Sequence, residues 1–282
     1  MVQFILSAFA DEYSEKIDDQ IRWLNENNLD LLEIRGVDGT PIADISLEKA
    51  KEVKEKLDKA GISVSAVGSP AGKINIKDDF EPHLKQFRHL LDIADILEAK
   101  RMRIFSFFMP EGESPEIYRD EVVSRLKVMC DLAKKEGITL CHENEKNIYG
   151  DTPERCLDLY NALGGEMKCV FDHANFISCD VEPYPYAYGM LKDTLEYMHI
   201  KDANADKEMV AAGEGIGNIP DTISSLKNDK DGEFILTLEP HLMEFNGLKG
   251  LESEGHTSKL GNRFKDNDEA FECALASLKK YL

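Results

Sequence analysis

Residues 137–143 read GITLCHE, and after the glycine two sets of side chains alternate: Ile138, Leu140 and His142 in one phase, Thr139, Cys141 and Glu143 in the other. A period of two is that of a β-strand, whose successive side chains point to opposite faces. The phase of Thr139 and Cys141 is the more polar. Ile138 and Leu140 are therefore expected to face a helix layer, and Glu143 to point inward at the strand's end. The same test on LEYMHIK (195–201) sets Tyr197, His199 and Lys201 against Met198 and Ile200; on FILTLEPH (234–241) it sets Thr237, Glu239 and His241 against Leu236 and Leu238. A fourth run, CVFD (169–172), closes on Asp172. Four consecutive strands thus each finish on an oxygen or imidazole side chain, and strand C-termini are where a parallel α/β barrel carries its chemistry.

Outward from these strands, β-type apolar runs alternate with helical-period segments along the chain, with no Gly/Ser/Pro-rich linker between them. Strands are expected at 4–9, 29–34, 62–67, 102–108, 138–142, 168–172, 197–201 and 234–239. Amphipathic stretches at 17–27, 47–60, 80–97 and 117–136 are long enough for crossover helices. Ser114-Pro115-Glu116 and Thr152-Pro153-Glu154 each offer an N-cap, a proline at the first helical position and an early acid, so both are expected to open helices. Gly61 and Gly137 stand where a helix stops and a strand begins. The expected fold class is α/β, a (β/α)8 TIM barrel forming a single domain over residues 1–282, a length that suits it. A doubly wound open sheet is the alternative, but no G-x-G-x-x-G follows the first strand, where a dinucleotide site requires it. The stretches 203–217 and 241–264 are polar and less periodic, and read as loops on the active mouth.

The 54 acidic side chains against 34 basic give a net charge of −20. That charge repels phosphate backbones and anionic membranes, so neither nucleic acid nor membrane is an expected partner. The apolar runs fall short of the ~20 residues that span a bilayer. The N-terminal MVQFILSAFADEY has no basic region before its apolar stretch and reads as a buried first strand, not a signal peptide, which makes a cytoplasmic location the expectation. Six cysteines (Cys130, Cys141, Cys156, Cys169, Cys179 and Cys273) show no C-x-x-C pairing and read as reduced, mostly buried thiols. A homo-oligomer is compatible with the sequence.

Three carboxylates gathered with one imidazole repel one another unless a cation sits among them; a divalent ion reverses that cost and keeps them ionised. Glu143, Asp172, His199 and Glu239 are therefore read as ligands of one divalent metal ion. Their mostly oxygen donor set suits Mn²⁺ or Mg²⁺, with Co²⁺ or Zn²⁺ also able to occupy it. Any one of them alone reads as a cap or a satisfied core residue. The repetition at four strand ends carries the inference.

CHEN (141–144), FDHAN (171–175), MHIKD (198–202) and LEPH (238–241) resemble the conserved blocks of the sugar phosphate isomerase/epimerase family with its xylose isomerase-like barrel, and the resemblance spans nearly the whole chain. SPAGK (69–73), RIFS (103–106) and GEGIG (213–217) resemble substrate-side loops of the same family. The resemblance implies Glu143, Asp172, His199 and Glu239 as single-metal ligands, with Glu143 and Glu239 also the acid/base pair. Asn175 stands where many relatives have histidine, and Ala205 where an arginine is frequent. The implied activity is that of a metal-dependent isomerase or epimerase of carbohydrate metabolism, acting on a sugar, sugar phosphate or polyol ketone. One glutamate removes the α-proton, a metal-stabilised enediolate forms, and the other glutamate returns the proton. An inosose or keto-sugar dehydratase would share the proton abstraction. An AP-endonuclease-like phosphodiesterase would need further histidine ligands and a basic groove, and a non-catalytic sugar-binding barrel would have no need of both glutamates.

Lys201, Asn175, Glu33, Arg35, Lys73 and His241 are the expected contacts to a small carbohydrate substrate. For Lys201, and for Glu33 with Arg35, an internal ion pair is the alternative. His142 and His173 fall out of phase with the mouth and read as packing residues. Trp23 reads as core, and Phe9, Phe107 and Phe108 as aromatic wall of a cavity.

Overall fold

Cys141 and Tyr197 meet Ala66, Val170 and Ile235 in one small apolar cluster, whereas Leu140, Met198, Ile200, Leu236 and Leu238 belong to a second and much larger one. In the computed structural model, which describes residues 2–245, 259–261 and 263–282, these clusters are the inside and the outside of a barrel. Its strands are β1 (Val2–Ala8), β2 (Leu31–Ile34), β3 (Ser63–Gly68), β4 (Arg101–Ile104), β5 (Thr139–Glu143), β6 (Lys168–Asp172), β7 (Leu195–Ile200) and β8 (Gly232–Leu238). They follow one another around the ring, all parallel, and β1 closes it by pairing with both β8 and β2. The alternation of side chains read from 137–143, 195–201 and 234–241 is the one observed. The architecture is a single TIM-barrel domain.

Helices Ile17–Glu26, Leu47–Ala60, Phe80–Ile96, Arg119–Lys135, Pro153–Ala162, Ile219–Asp229 and Asn267–Lys279 cover the outer face. Their bounds follow local chemistry. Ser46 accepts from the backbone N–H of Lys49 and Gly61 ends the same helix at φ 73°, in the left-handed region glycine favours. Between them Ala50, Val53 and Leu57 are buried at helical spacing. Thr152 caps the helix that Pro153 opens. Trp23 is core as expected, 4.6 Å from the Phe271 ring. Burying side chains of this size stabilises by roughly 1.5–3 kcal/mol each.

Three expectations are corrected. First, β4 ends at Ile104, not Phe108, because the next backbone N–H groups turn to another segment: Phe105 donates to Ala71 (2.8 Å), Phe107 to Gly72 (3.0 Å) and Phe108 to Ile74 (2.8 Å). Second, Ser114 opens only a 3-10 turn, Pro115–Tyr118; its hydroxyl is taken by the Glu116 carboxylate, and the α-helix begins at Arg119. Third, the stretch 203–217 is not structureless. Asp202–Ala203 pairs antiparallel with Glu208–Val210, which pairs in turn with Lys259–Leu260. Of the expected loop 241–264, residues 246–258 and 262 lie outside the described residues. All six cysteines are free thiols and four are buried. Among the described residues no helix is long and apolar enough to cross a membrane.

Candidate active site

Glu143 and Asp172 end β5 and β6, His199 stands one residue before the end of β7, and Glu239 follows β8. Neighbouring strands run with Asp172 beside His199 and Thr237 beside His199, so their C-terminal ends reach one level. All four side chains are buried, and one ligand atom from each lies within 4.8 Å of the others. His199 Nδ1 is 3.1 Å from Glu143 Oε1 and 3.1 Å from Glu239 Oε2. Asp172 Oδ2 and Glu239 Oε2 are buried and accept no aligned hydrogen bond; Lys201 Nζ faces them at 2.9 and 3.6 Å. Buried carboxylates are costly unless cations and hydrogen bonds compensate them. Three carboxylates and one imidazole nitrogen with oxygens to spare fit a divalent cation.

Burial raises the Glu143 carboxyl, but His199 and Arg103 outweigh it and bring it to about 2. Burial likewise raises Glu239, which Lys201 and His199 drive well below the ordinary carboxylate range. At Asp172 burial prevails over Lys201 and lifts the carboxyl to about 7. His199 is pushed down by burial and far further up by Glu33, Glu143 and Glu239, so without an ion it is protonated.

Around the cluster lies a shell of ion pairs. Arg35 Nη1 donates to Glu239 Oε1 at 2.8 Å; its Nε and Nη2 reach Asp11 at 2.9 and 3.1 Å, and Nη2 reaches Glu12 at 3.3 Å. Arg103 Nη1 donates to Glu143 Oε2 at 2.8 Å. Each glutamate thus gives one oxygen to an arginine and keeps the other toward His199. Glu12, Glu239 and His241 form a second acidic group with ligand atoms within 4.8 Å. The Arg35 guanidinium pairs with two members of this group, Glu12 and Glu239. Burial lifts Glu12 to about 8 against the pull of Arg35. Beside the cluster opens a cavity of about 180 Å³ lined by Arg35, Thr40, Gly68, Ser69, Lys73, Arg103 and Phe105, among others. Lys73 and Arg103 both lie over the Phe105 ring, at 4.3 and 4.5 Å.

Of the expected substrate contacts, Arg35 and Lys73 line this cavity, and Lys201 and His241 sit against the cluster, His241 with its ring 3.5 Å from Glu239. The structure places the other two differently. Glu33 is inward but wholly buried below His199, accepting the Tyr197 hydroxyl at 2.7 Å. Asn175 spends its amide on Glu143 Oε1 (3.1 Å) and the Asn144 carbonyl (3.0 Å). None of the three phenylalanines expected as cavity wall lines it: Phe9 is buried edge-on to His199 at 5.1 Å, Phe107 turns outward onto Phe80 and Phe108 joins the loops at Asn75 and Ile148, while Phe105 lines the cavity. His142 and His173 are packing residues as expected: they face Ser106 Oγ and Thr222 Oγ1, and burial lowers them to about 4 and about 3. The GEGIG loop folds onto the chain's own anion, its Gly213, Gly215 and Gly217 N–H groups all donating to Asp202. Asp11 and Glu12 escaped the sequence reading, and Arg103 and Asn144 entered it only within the blocks RIFS and CHEN, with no role of their own. Arg103 was detectable, since Met102 and Ile104 alternate with it and face the helices. Asn144, which exchanges two hydrogen bonds with the Asp172 backbone, gave no such sign.

The fold recurs in solved proteins of low sequence identity. D-allulose 3-epimerase from Methylomonas sp. superposes with a TM-score of 0.75 at 15% identity, covering 99% of this chain and 98% of the other. A 3-keto-D-glucoside 4-epimerase from E. coli gives 0.71 at 16% identity, with 99% and 100% covered. The IOLI protein with a binding zinc atom gives 0.72 at 16% identity, with 99% of both chains covered. No curated protein sequence matches the chain. The family model described as a xylose isomerase-like TIM barrel matches residues 21–264. With that match over most of its length and the closed parallel barrel that bears it out, the chain belongs to the xylose isomerase-like TIM barrel family.

Proposed function

We propose that the protein is a divalent-metal-dependent isomerase or epimerase of a sugar or polyol ketone. One observation carries the reading: two glutamates from β5 and β8 converge on one point, each 3.1 Å from His199 Nδ1 and each steadied by its own arginine. Glu143, Asp172, His199 and Glu239 would hold the divalent ion, which would supply Lewis-acid polarisation of a ketone and its neighbouring hydroxyl and so acidify the C–H of the hydroxyl-bearing carbon. Glu143, paired with Arg103, and Glu239, paired with Arg35, are the groups that accept that proton and return it. Arrival from two separate strands allows removal on one face and return on the other. Lys201, held charged by Asp172, aims a donor at the same point. Arg35, Thr40, Lys73 and Arg103 offer donors to hydroxyls in the adjoining cavity, and Phe105 offers a flat wall. The epimerases of like fold act on keto-glucosides and D-allulose by name, and the zinc-bound relative supports a metal in this barrel. The net charge of −20 argues against a phosphodiester polymer as substrate.

The test is proton NMR in D₂O of Mn²⁺-loaded protein incubated with ketohexoses, keto-glycosides and inososes. The expected outcome is loss of an α-hydrogen signal together with growth of an epimer or isomer. Metal-loaded Glu143→Gln and Glu239→Gln should each slow turnover by about 10²–10⁴-fold, since an amide keeps the size but cannot take the proton. Product that has lost water would make the enzyme a dehydratase, and near-normal turnover by both metal-loaded variants would confine the glutamates to metal holding.

A further inference from the structure

We propose that Glu33 is a positioning residue for the metal centre: its carboxylate fixes the His199 proton on Nε2 and thereby dedicates Nδ1 to the ion. The inference rests on the metal reading above and concerns a residue that touches neither the ion position nor the cavity. Glu33 comes from β2 and is 0% exposed inside the barrel. His199 Nε2 lies 3.2 Å from each of its oxygens, and the Tyr197 hydroxyl donates to one of them at 2.7 Å.

A neutral imidazole carries one proton, and the partner of each ring nitrogen decides where it sits. Nε2 faces Glu33 and Nδ1 faces Glu143 and Glu239, so an ion among those carboxylates would take the Nδ1 lone pair and leave the ring's one hydrogen on Nε2, against Glu33. The ring's orientation is already constrained, with Phe9 edge-on at 5.1 Å and Tyr197 at 5.5 Å. What packing leaves open is the proton. The buried His142 and His173 face hydroxyls, not carboxylates. Behind His199, on the side away from Glu143 and Glu239, stands the Glu33 carboxylate. A carboxylate behind a ligating histidine is the usual means of fixing its tautomer and raising its basicity.

Mn²⁺ affinity measured at pH 7 on the whole protein tests this. Glu33→Gln, whose amide can present either an acceptor or a donor to Nε2, should weaken Mn²⁺ binding by about 10–100-fold while the variant stays folded. Tyr197→Phe, which leaves the carboxylate in place, should cost less. The double variant Glu33→Gln/His199→Ala should bind no more weakly than His199→Ala alone, because Glu33 acts through that ring; a purely structural glutamate would add its own loss. ¹⁵N spectra of the Zn²⁺-loaded wild-type protein should show hydrogen on His199 Nε2 and metal on Nδ1, a readout that needs no variant. Wild-type affinity in Glu33→Gln, additive losses in the double variant, or metal on Nε2 would each overturn the proposal while leaving the metal site standing. Absence of any ion from the wild-type protein would overturn the metal reading itself.

Discussion

Lys201 shows how one side chain can be asked to do two jobs. In the ion-free protein its ammonium is the nearest cation to Asp172, at 2.9 Å, and burial has already raised that carboxyl to about 7. Removing one partner of a buried ion pair costs about 3–5 kcal/mol, because the other is left uncompensated. Lys201→Ala should therefore destabilise the protein strongly in EDTA. With Mn²⁺ bound to Asp172 the penalty should shrink to a fraction of that, since the ion supplies the missing charge. Urea unfolding with and without Mn²⁺ checks this, and equal losses in the two conditions would refute an ion at Asp172. At this scale the sequence was legible where direction alone matters. Alternation set Glu143, His199, Lys201 and Glu239 inward, and strand ends placed them at the mouth. Depth was not legible. Glu33 shares the inward direction, but a register shift between Leu32 and Glu33 lies just where it leaves the mouth for the level below His199.

The segment after β3 that carries Lys73 to the cavity is held by β4's continuation and by a histidine from the next helix. Gly72 sits at φ 91°, and a Cβ there would come within 2.0 Å of the Phe105 carbonyl, which leaves glycine alone acceptable. Its N–H donates to His83 Nε2 at 2.8 Å, so that ring must stay neutral. Burial, aided by Arg125, lowers His83 from 6.5 to about 4. Above about pH 7 the ring is neutral folded and unfolded, and contributes no pH dependence. As pH falls below 6.5 the unfolded chain binds a proton that the folded one refuses, and stability is lost until the folded group titrates near 4. Between pH 7.5 and 5 the loss is about 2 kcal/mol from this residue. His83→Gln, whose carbonyl can still accept from Gly72, should unfold in urea with a smaller drop over that interval. An unchanged drop would show that the ring is not kept neutral by the fold. Elements with chemical stops at both ends, such as Leu47–Ala60 between Ser46 and Gly61, were legible to the residue. β4 was overrun because the apolar FSFF after Ile104 reads as strand while its hydrogen bonds go to Ala71, Gly72 and Ile74, a choice made by tertiary structure.

For the whole molecule, eight apolar runs joined by helical segments were enough to give the ring its order, because parallel neighbours in sequence become neighbours in space. The small sheet formed by Asp202–Ala203, Glu208–Val210 and Lys259–Leu260 was not foreseen, since it joins two short segments far apart in the chain. A net charge of −20 favours the approach of cations and disfavours that of phosphates. It does not choose where a cation would rest; the converging strand ends offer the four grouped ligand atoms. The most direct test is anomalous diffraction at the manganese edge from crystals grown with Mn²⁺. The expected result is one strong peak per chain, about 2.0–2.4 Å from carboxylate oxygens of Glu143, Asp172 and Glu239 and from His199 Nδ1. A peak at Glu12 and His241 instead, or none within reach of these four residues, would contradict the site on which the proposed chemistry rests.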